Sequence, residues 1–203
     1  MRNILRKAYF LLGAIRCAPI ILVTLLSSKV DIIFSDQDRW AAIMGRTVPK
    51  KLGAHLNLFV ELMTFVPEYR TILYYRLGLI GKFLSIICPR IPGFDISAES
   101  IGPGFCVRHG FGALVSADSI GENCIIHQHV TVGYRPSDDT RPTLGNNVTI
   151  FPGATIIGKI HIGDNSTIGA NTLVLGDVPP NVTVVGVPGK IVLSNRPGGC
   201  LAS

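Results

Sequence analysis

Apolar residues recur at every sixth position between residues 144 and 178. The blocks read LGNNVT, IFPGAT, IIGKIH, IGDNST, IGANTL and VLGDVP, and each opens with an aliphatic residue. A fixed short period indicates one unit stacked on itself, and a period of six is typical of a parallel β-helix. We predict one short strand per block. Its opening and fifth residues face inward, and the fifth residues are all small or β-branched: Val148, Ala154, Ile160, Ser166, Thr172 and Val178.

Glycine-containing pairs in these blocks predict the corners of the coil. Glycine adopts a positive φ at little steric cost, which suits the turns at Gly145-Asn146, Gly163-Asp164 and Gly169-Ala170. Three strands would form one coil, and coils would stack about 4.8 Å apart. The spacing leaves the handedness open, because most parallel crossovers are right-handed. An ordinary β-sandwich with a turn every six residues is the alternative.

The coils before residue 144 are less regular. Their predicted inward residues show slips of one position near 96–101 and 113–120, and they are Ile96, Ile101, Val107, Ala113, Ile120 and Ile126. Asp138 stands where an aliphatic residue belongs. We therefore predict a loop over residues 133–143, and protruding loops of this kind often line a functional cleft.

The first ninety residues predict helices. Arg2, Arg6 and Lys7 precede about twenty mostly apolar residues, which Arg16 and Pro19 interrupt. This pattern fits neither a cleaved signal peptide nor an uninterrupted membrane span. A helix in the membrane interface, a broken re-entrant helix and a helix buried against a partner subunit remain open.

Two further helical regions follow. Residues 35–65 predict one or two helices, with Ser35 or Asp36 as a cap and Pro49 opening the second. A later helix is predicted from Pro67 to Cys88, with tyrosines that pack inside. The predicted organisation is a helical region over 1–90, a β-helix over 91–193 and a tail over 194–203.

Composition narrows the possible partners. The net charge is +6 and the mean hydropathy is +0.41, with the apolar excess in the first ninety residues. No stripe of Lys and Arg interleaved with aromatic residues is present, so nucleic-acid binding is not expected. The five cysteines lack paired metal-ligand spacing, which favours structural thiols in a reducing compartment.

The order of short motifs points to a known family. Asp-Ile, Ile-Gly-x-Gly, His-x-x-Gly, Val-Thr-x-Gly and Gly-Val-Pro-x-Lys follow one another between residues 95 and 190. The chain, over about residues 67–193, resembles the serine acetyltransferase family, and especially its branch in surface-polysaccharide synthesis. The resemblance implies a mainly β fold, a left-handed parallel β-helix after a helical N-terminal region. It also implies O-acetyltransferase activity with acetyl-CoA.

The resemblance implies a catalytic pair. His109 falls on the family's catalytic histidine, and Asp95 on the aspartate that hydrogen-bonds it. A neutral imidazole would take the proton of the attacking hydroxyl, and a carboxylate would fix its tautomer. Backbone N–H groups of residues 110–112 are candidate donors to the oxyanion.

The resemblance further implies an acetyl-CoA site between neighbouring subunits of a homotrimer, with a dimer of trimers as a further possibility. Lys190 would lie near a CoA phosphate. The other residues implied along the acetyl-CoA groove are Thr131, Gly133, Gly153, Ala154 and Ala170.

A pair of histidines offers a second interpretation. His127 and His129 alternate on one predicted strand, so both could face the same side, as a metal site or a second acid/base pair requires. With His109 they do not reproduce the three-histidine pattern of the zinc enzymes of this superfamily, and we expect no metal. Gln128 is a more natural cleft-lining residue. His55 and His161 are interpreted as surface or packing residues.

Two departures from the family motif concern the acceptor. Arg108 stands where the family has an aspartate, and Arg141 precedes Pro142 where the family has Arg-His-Pro. A cation at residue 108 disfavours an ammonium group. We therefore predict a sugar hydroxyl of a surface polysaccharide, bound by Arg108, Gln128 and Arg141 at the inner face of the cytoplasmic membrane. Serine acetylation for cysteine synthesis and a non-catalytic β-helical scaffold are the alternatives.

Overall fold

The chain folds into two compact units, divided between Pro92 and Gly93. The computed structural model describes residues 2–47, 50–135 and 140–194. Three predicted features lie outside the described residues: the helix start at Pro49, the loop residue Asp138 and most of the C-terminal tail, with Cys200.

The first unit is helical. Its helices are α1 (Arg2–Leu26), α2 (Val30–Ile43), α3 (Leu52–Phe65), α4 (Pro67–Leu77) and α5 (Leu79–Leu84). The core forms where α3 packs on α4, and its largest side chains are Phe59, Leu62, Met63, Tyr69, Ile72 and Leu73. The Tyr69 hydroxyl accepts a hydrogen bond from Gln37 at 3.1 Å, and the Tyr74 hydroxyl donates to the Cys88 carbonyl at 2.7 Å. These two tyrosines pack inside, as predicted.

A buried ion pair corrects the predicted start of the second helix. Asp36 does not cap a helix, because α2 already begins at Val30 and Asp36 lies within it. Its carboxylate accepts two hydrogen bonds from the Arg76 guanidinium, at 3.0 and 3.1 Å, and both side chains are buried. Sequence patterns that mark helix ends are local, so they cannot predict an ion pair between residues forty positions apart.

The predicted helix from Pro67 to Cys88 is also wrong in its extent. It breaks at Gly78, whose φ of 61° ends α4 and starts α5. A residue with a Cβ would meet nothing there, so the break depends on the backbone conformation that glycine allows and not on lack of space.

Helix α1 is apolar over much of its length. The stretch Tyr9–Leu26 has a mean hydropathy of 2.1 and is long enough to cross a membrane by length and composition, and 22% of it is buried. Gly13 faces α3 so closely that a Cβ there would lie 2.2 Å from the Thr64 hydroxyl oxygen. One side of α1 is therefore packed against protein.

The second unit is a parallel β-helix of about five coils. Its strands are β1 (Asp95–Ile101), β2 (Cys106–Arg108), β3 (Leu114–Ile120), β4 (Ile125–His127), β5 (Thr131–Gly133), β6 (Thr143–Leu144), β7 (Thr149–Ile150), β8 (Thr155–Ile157), β9 (His161–Ile162), β10 (Thr167–Ile168), β11 (Leu173–Val174), β12 (Val182–Val185) and β13 (Lys190–Ser194).

The pairing defines three faces. The first face contains β2, β4, β7, β10 and β12, and the second contains the start of β1 and of β3, then β5, β8 and β11. The third contains the ends of β1 and β3, then β6 and β9.

Stacked aliphatic residues fill the coil, as the period of six predicts. Ile126, Ile150 and Ile168 are neighbours on the first face and none of them is exposed. Val132 and Ile156 are stacked in the same way on the second face. The predicted mainly β, left-handed parallel β-helix after a helical region is confirmed.

The slips in the early coils have a structural explanation. Each of β1 and β3 runs around the corner from the second face to the third without a turn, and they pair from Asp95↔Leu114 to Ile101↔Ile120. A strand that continues around the corner needs one residue fewer than a strand, a turn and a new strand. The spacings 96–101 and 115–120 are therefore five instead of six.

The cysteines of the described residues are thiols. Cys17, Cys88, Cys106 and Cys124 are free and buried. Burial, and next the neighbouring Cys88, raise the pKa of the Cys17 thiol to about 12. Such thiols are inert, in keeping with the structural role that the sequence predicts.

Candidate active site

The corner between the first and second faces is longer in one coil than in the others. His109 lies in it, between β2 on the first face and β3 on the second, which we call the long corner (residues 109–113). The inward residues that flank it, Val107 and Val115, are eight positions apart. In the next coil Ile126 and Val132, their ladder partners, are six apart. Two inserted residues therefore bulge outward, and His109 is exposed on the bulge.

Backbone conformation singles out the same corner. Left-handed φ values are uncommon for residues other than glycine, and asparagine tolerates them best. In the described part of the second unit, every such residue that is not glycine is asparagine, with two exceptions: His109 with φ 53° and His129 with φ 55°. Strained residues cluster at functional sites. Two histidines in this conformation on adjacent coils mark the corner as a candidate site.

Asp95 lies in the same end of the β-helix as His109. Its backbone N–H donates to the Ala113 carbonyl at 3.1 Å, and the Ala113 N–H donates to the Gly110 carbonyl at 3.2 Å. Its carboxylate is exposed, and among the described residues no hydrogen bond or ion pair joins it to His109. Catalytic hydrogen bonds often tighten only when substrate is bound.

His127 lies beside the catalytic candidate. It pairs with Arg108 across β4 and β2, with both side chains on the outside of the first face. Its ring stacks on Phe151 with centroids 5.1 Å apart, and Nδ1 lies 2.9 Å from the Ile150 carbonyl oxygen. Because a carbonyl only accepts, Nδ1 carries the proton. Nε2 of the neutral ring is then an acceptor.

The environment favours the neutral form of His127. Burial lowers the pKa of its imidazole, and the charges of Arg108 and His109 lower it further, while the bond to Ile150 acts in the opposite direction. The ring is therefore a hydrogen-bond acceptor beside the guanidinium of Arg108. The site offers a cation and a neutral acceptor next to His109.

His129 does not pair with His127 as predicted. Strand β4 ends at His127, and the left-handed turn at His129 directs that ring toward the preceding coil. There it meets Phe111 edge to face, at a centroid distance of 4.9 Å. Across the described residues, no three His, Cys, Asp or Glu side chains come together as a metal ion would need.

The predicted acetyl-CoA residues follow one edge of the β-helix. Gly153 and Ala154 lie between the first and second faces one coil beyond His129, and Ala170 lies there in the next coil. Thr131 and Gly133 are in β5 on the adjoining second face. A Cβ on Gly133 would meet nothing within 4 Å, so its backbone borders open space. By contrast, Gly153 has a φ of 73°, which favours glycine, and a Cβ there would lie 2.1 Å from the Asn171 side-chain oxygen, which would have to move.

Lys190 lies at the far end of this edge. It opens β13, which pairs antiparallel with β12 over the last coil. The Gly189 N–H donates to the Leu173 carbonyl at 2.7 Å, which ties the hairpin turn to the second face. Lys190 is exposed.

Two of the predicted substrate-binding residues, Arg141 and Gln128, lie in different places. Arg141 lies beyond β5, where the second face meets the third, so β5 separates it from the long corner. Gln128 adjoins His127, and its buried side-chain oxygen has no hydrogen-bond partner within the described structure. One chain therefore brings Arg108, His109, His127 and Gln128 together but not Arg141.

Two aromatic residues were missed by sequence reasoning. Phe111 and Phe151 hold the rings of His129 and His127. The available signal was a large apolar residue at an outward corner position, where neighbouring blocks carry a small residue such as Gly169.

The sequence and the fold match known proteins. Residues 141–176 match the bacterial transferase hexapeptide family (six repeats). The chain is 33% identical over 149 residues to a serine acetyltransferase of Helicobacter pylori strain J99, covering 67% of this chain and 87% of that relative. It is 40% identical over 121 residues to one of Synechococcus elongatus, covering 58% of this chain and 50% of the relative.

Solved structures agree. The serine acetyltransferase of Brucella abortus superposes with a TM-score of 0.66 at 26% identity, over 86% of this chain and 73% of that one. The Neisseria gonorrhoeae serine acetyltransferase in complex with serine gives 0.61 at 27% identity, over 84% and 72%.

The β-helix and the match over residues 141–176 place the chain among the hexapeptide-repeat transferases. Within that class, the chain belongs to the serine acetyltransferase family. Members of this family are O-acetyltransferases that use acetyl-CoA. The chain spans half the length of the Synechococcus relative, so it matches only part of some members.

The predicted sugar acceptor is wrong, because these relatives are named as serine acetyltransferases. The narrower resemblance to enzymes of surface-polysaccharide synthesis has no support among them, and the alternative of a non-catalytic scaffold is not favoured. The prediction considered only the repulsion between Arg108 and the ammonium group of serine. A free amino acid also carries a carboxylate, which a guanidinium binds well.

We predict that the imidazole of His127 titrates below the ordinary value of about 6.5, as followed by proton–nitrogen NMR. Phe151→Ala should raise its midpoint by exposing the ring, whereas Phe111→Ala, which removes the partner of His129, should leave it unchanged. Since the unfolded chain would bind the proton more readily, stability should rise with pH just below 6.5. A midpoint at or above 6.5 in the unaltered protein would contradict this account.

Proposed function

We propose that the protein transfers the acetyl group of acetyl-CoA to the hydroxyl of L-serine. The observation that carries this proposal is the relation to the Helicobacter serine acetyltransferase, 87% of which the chain covers. The exposed His109 on the long corner supports it, because it places a proton acceptor on the open edge of the β-helix.

In this mechanism His109 is the general base. It removes the hydroxyl proton as the oxygen attacks the thioester carbon, so that a C–O bond forms. The tetrahedral oxyanion is stabilised by backbone N–H groups of the long corner, which its two inserted residues expose. The C–S bond then breaks, and the imidazolium returns its proton to the CoA thiolate. Asp95 is proposed to orient and stabilise the imidazolium once substrate is bound.

Serine recognition is proposed to use the neighbours of His109. The Arg108 guanidinium pairs with the serine carboxylate, a charge-assisted interaction. Nε2 of neutral His127 accepts a hydrogen bond from the ammonium group, and the unpartnered side-chain oxygen of Gln128 is a second acceptor. The two charges of the amino acid are then matched by different groups. Discrimination follows, because an acceptor without the carboxylate leaves Arg108 unpaired.

The complete site is proposed to form in a homotrimer. Arg141 lies at the opposite end of β5 from the long corner, so it would serve the site of a neighbouring subunit. The CoA arm would follow Thr131, Gly133, Gly153, Ala154 and Ala170, with its phosphates toward Lys190. Coils stacked about 4.8 Å apart give an edge long enough for an extended chain. The reaction is proposed to take place in the cytoplasm, where acetyl-CoA is available.

Replacing the proposed base should abolish the reaction. His109→Ala should lower kcat for CoA release with L-serine about 10²- to 10⁴-fold, the usual contribution of a general base. His161→Ala, which removes another exposed imidazole on the third face, should leave kcat within about twofold. Folding of both variants is checked by circular dichroism. If unaltered, folded protein releases no CoA with L-serine, the proposed function is wrong.

Replacing Arg108, which is proposed to bind the serine carboxylate, should raise KM for serine and not for acetyl-CoA. Arg108→Met should raise KM for L-serine about 10- to 100-fold, as expected for losing a hydrogen bond to a charged group. KM for acetyl-CoA should change less than about twofold. Lys159→Met, which removes an exposed cation elsewhere on the β-helix, is the matched control. An unchanged KM for L-serine in Arg108→Met would exclude this role.

A further inference from the structure

Helix α1 carries a continuous apolar stripe on the side away from α3. Its buried residues Gly13, Cys17, Ile20 and Thr24 recur at helical spacing and face the protein. The exposed residues recur at the same spacing on the other side, and Ile15 and Leu26 are 74% and 77% exposed. The stripe consists of Leu11, Leu12, Ile15, Leu22, Leu25 and Leu26.

A second apolar stripe runs through α5 and the turn that follows it. Phe83 is 74% exposed and Ile86 is 80% exposed, and the other members are Leu79, Ile80 and Ile87. This segment meets α1 at one groove, where Ile80 lies with Val23 and Leu26. Farther along, the Cys17 side chain of α1 lies close enough to Cys88 for that neighbour to raise its pKa. The two stripes adjoin at this groove, and we call them together the apolar surface.

The helical unit that carries this surface has a net positive charge. The first 92 residues contain 13 Lys and Arg against 5 Asp and Glu, a net charge of +8, and no acidic residue precedes Asp31. The exposed cations Arg16 and Lys82 lie on the two segments that carry the surface, and the exposed Lys29 lines the groove where they meet. The remaining residues, 93–203, contain 6 Lys and Arg against 8 Asp and Glu. The basic excess therefore belongs to the helical unit alone.

We propose that the apolar surface docks on an anionic lipid bilayer, with α1 lying in the plane of the interface. Exposed apolar patches of this kind mark interaction sites. A helix with apolar residues on one face and neighbouring cations binds anionic lipid through both features. Two copies of the helical unit would instead bring like charges together, which opposes self-association through this face.

The packing of α1 determines how it meets the bilayer. A spanning helix is surrounded by lipid, whereas α1 is in close contact with α3 at Gly13 and contributes buried residues to the core of its unit. Spanning would require this face to leave α3. Lying in the interface keeps these contacts and removes the apolar surface from water.

The test is vesicle flotation of the full-length protein, synthesised in a purified cell-free system. Vesicles contain phosphatidylcholine alone or with 30% phosphatidylglycerol. The protein should float with the anionic vesicles, and 0.5 M NaCl should reduce the bound fraction at least threefold. Ile15→Asp combined with Phe83→Asp should reduce it at least tenfold. Leu52→Asp, at an exposed leucine of the same unit outside the apolar surface, should leave it unchanged.

Three results would overturn the proposal. The first is failure of the protein to float with either vesicle, and the second is flotation of the double variant to the same extent as the parent. Resistance to extraction at pH 11 would indicate a spanning helix instead of an interfacial one. If the parent fails to float and the double variant dissociates a larger oligomer on gel filtration, the surface joins copies of the chain. CoA release with L-serine is measured on the same samples, so a wrong acceptor assignment is recognised separately.

Discussion

A coil of three strands must turn a corner every six residues, and that constraint shapes the second unit. The aliphatic columns admit only small polar side chains such as those of Ser166 and Thr172, so the histidines and the charged side chains lie on the outside. Every corner along two of the three edges has a left-handed residue, a conformation in which a side chain is costly. Asparagines, and not the predicted glycine pairs that precede them, adopt this conformation along one edge, where Asn147, Asn165 and Asn181 are joined by side-chain hydrogen bonds of 3.0 Å.

The edge that carries the candidate site differs from the edge whose left-handed residues are asparagines. Two extra residues lengthen the corner at His109, and histidines occupy left-handed positions on two adjacent coils. Phe111 and Phe151 then hold the imidazoles of His129 and His127 against neighbouring coils. The coil thereby becomes a rigid support on which His109 projects outward. Catalytic groups held on rigid elements keep the geometry that proton transfer requires.

The parts of the fold that follow from local repetition were predictable, and the parts that depend on distant partners were not. The six-residue period predicts the β-helix and its inward residues. The ion pair between Asp36 and Arg76 joins two helices far apart in sequence, so Asp36 looked like a helix cap. The prediction that His127 and His129 face the same side was wrong because strand β4 ends at His127, so the two residues do not share a strand. The predicted acceptor was wrong because Arg108 was compared with the ammonium group of a free amino acid and not with its carboxylate.

The central claim is that the edge between the first and second faces, with His109 on its long corner, is where acetyl transfer takes place. A crystal structure of the full-length protein with CoA tests it most directly. The CoA sulfur should lie about 3–3.5 Å from the nearest nitrogen of His109, as near-attack geometry requires. The pantetheine arm should follow Gly153 and Ala170 along that edge. CoA bound on the third face, or with its sulfur more than one coil from His109, would contradict the account.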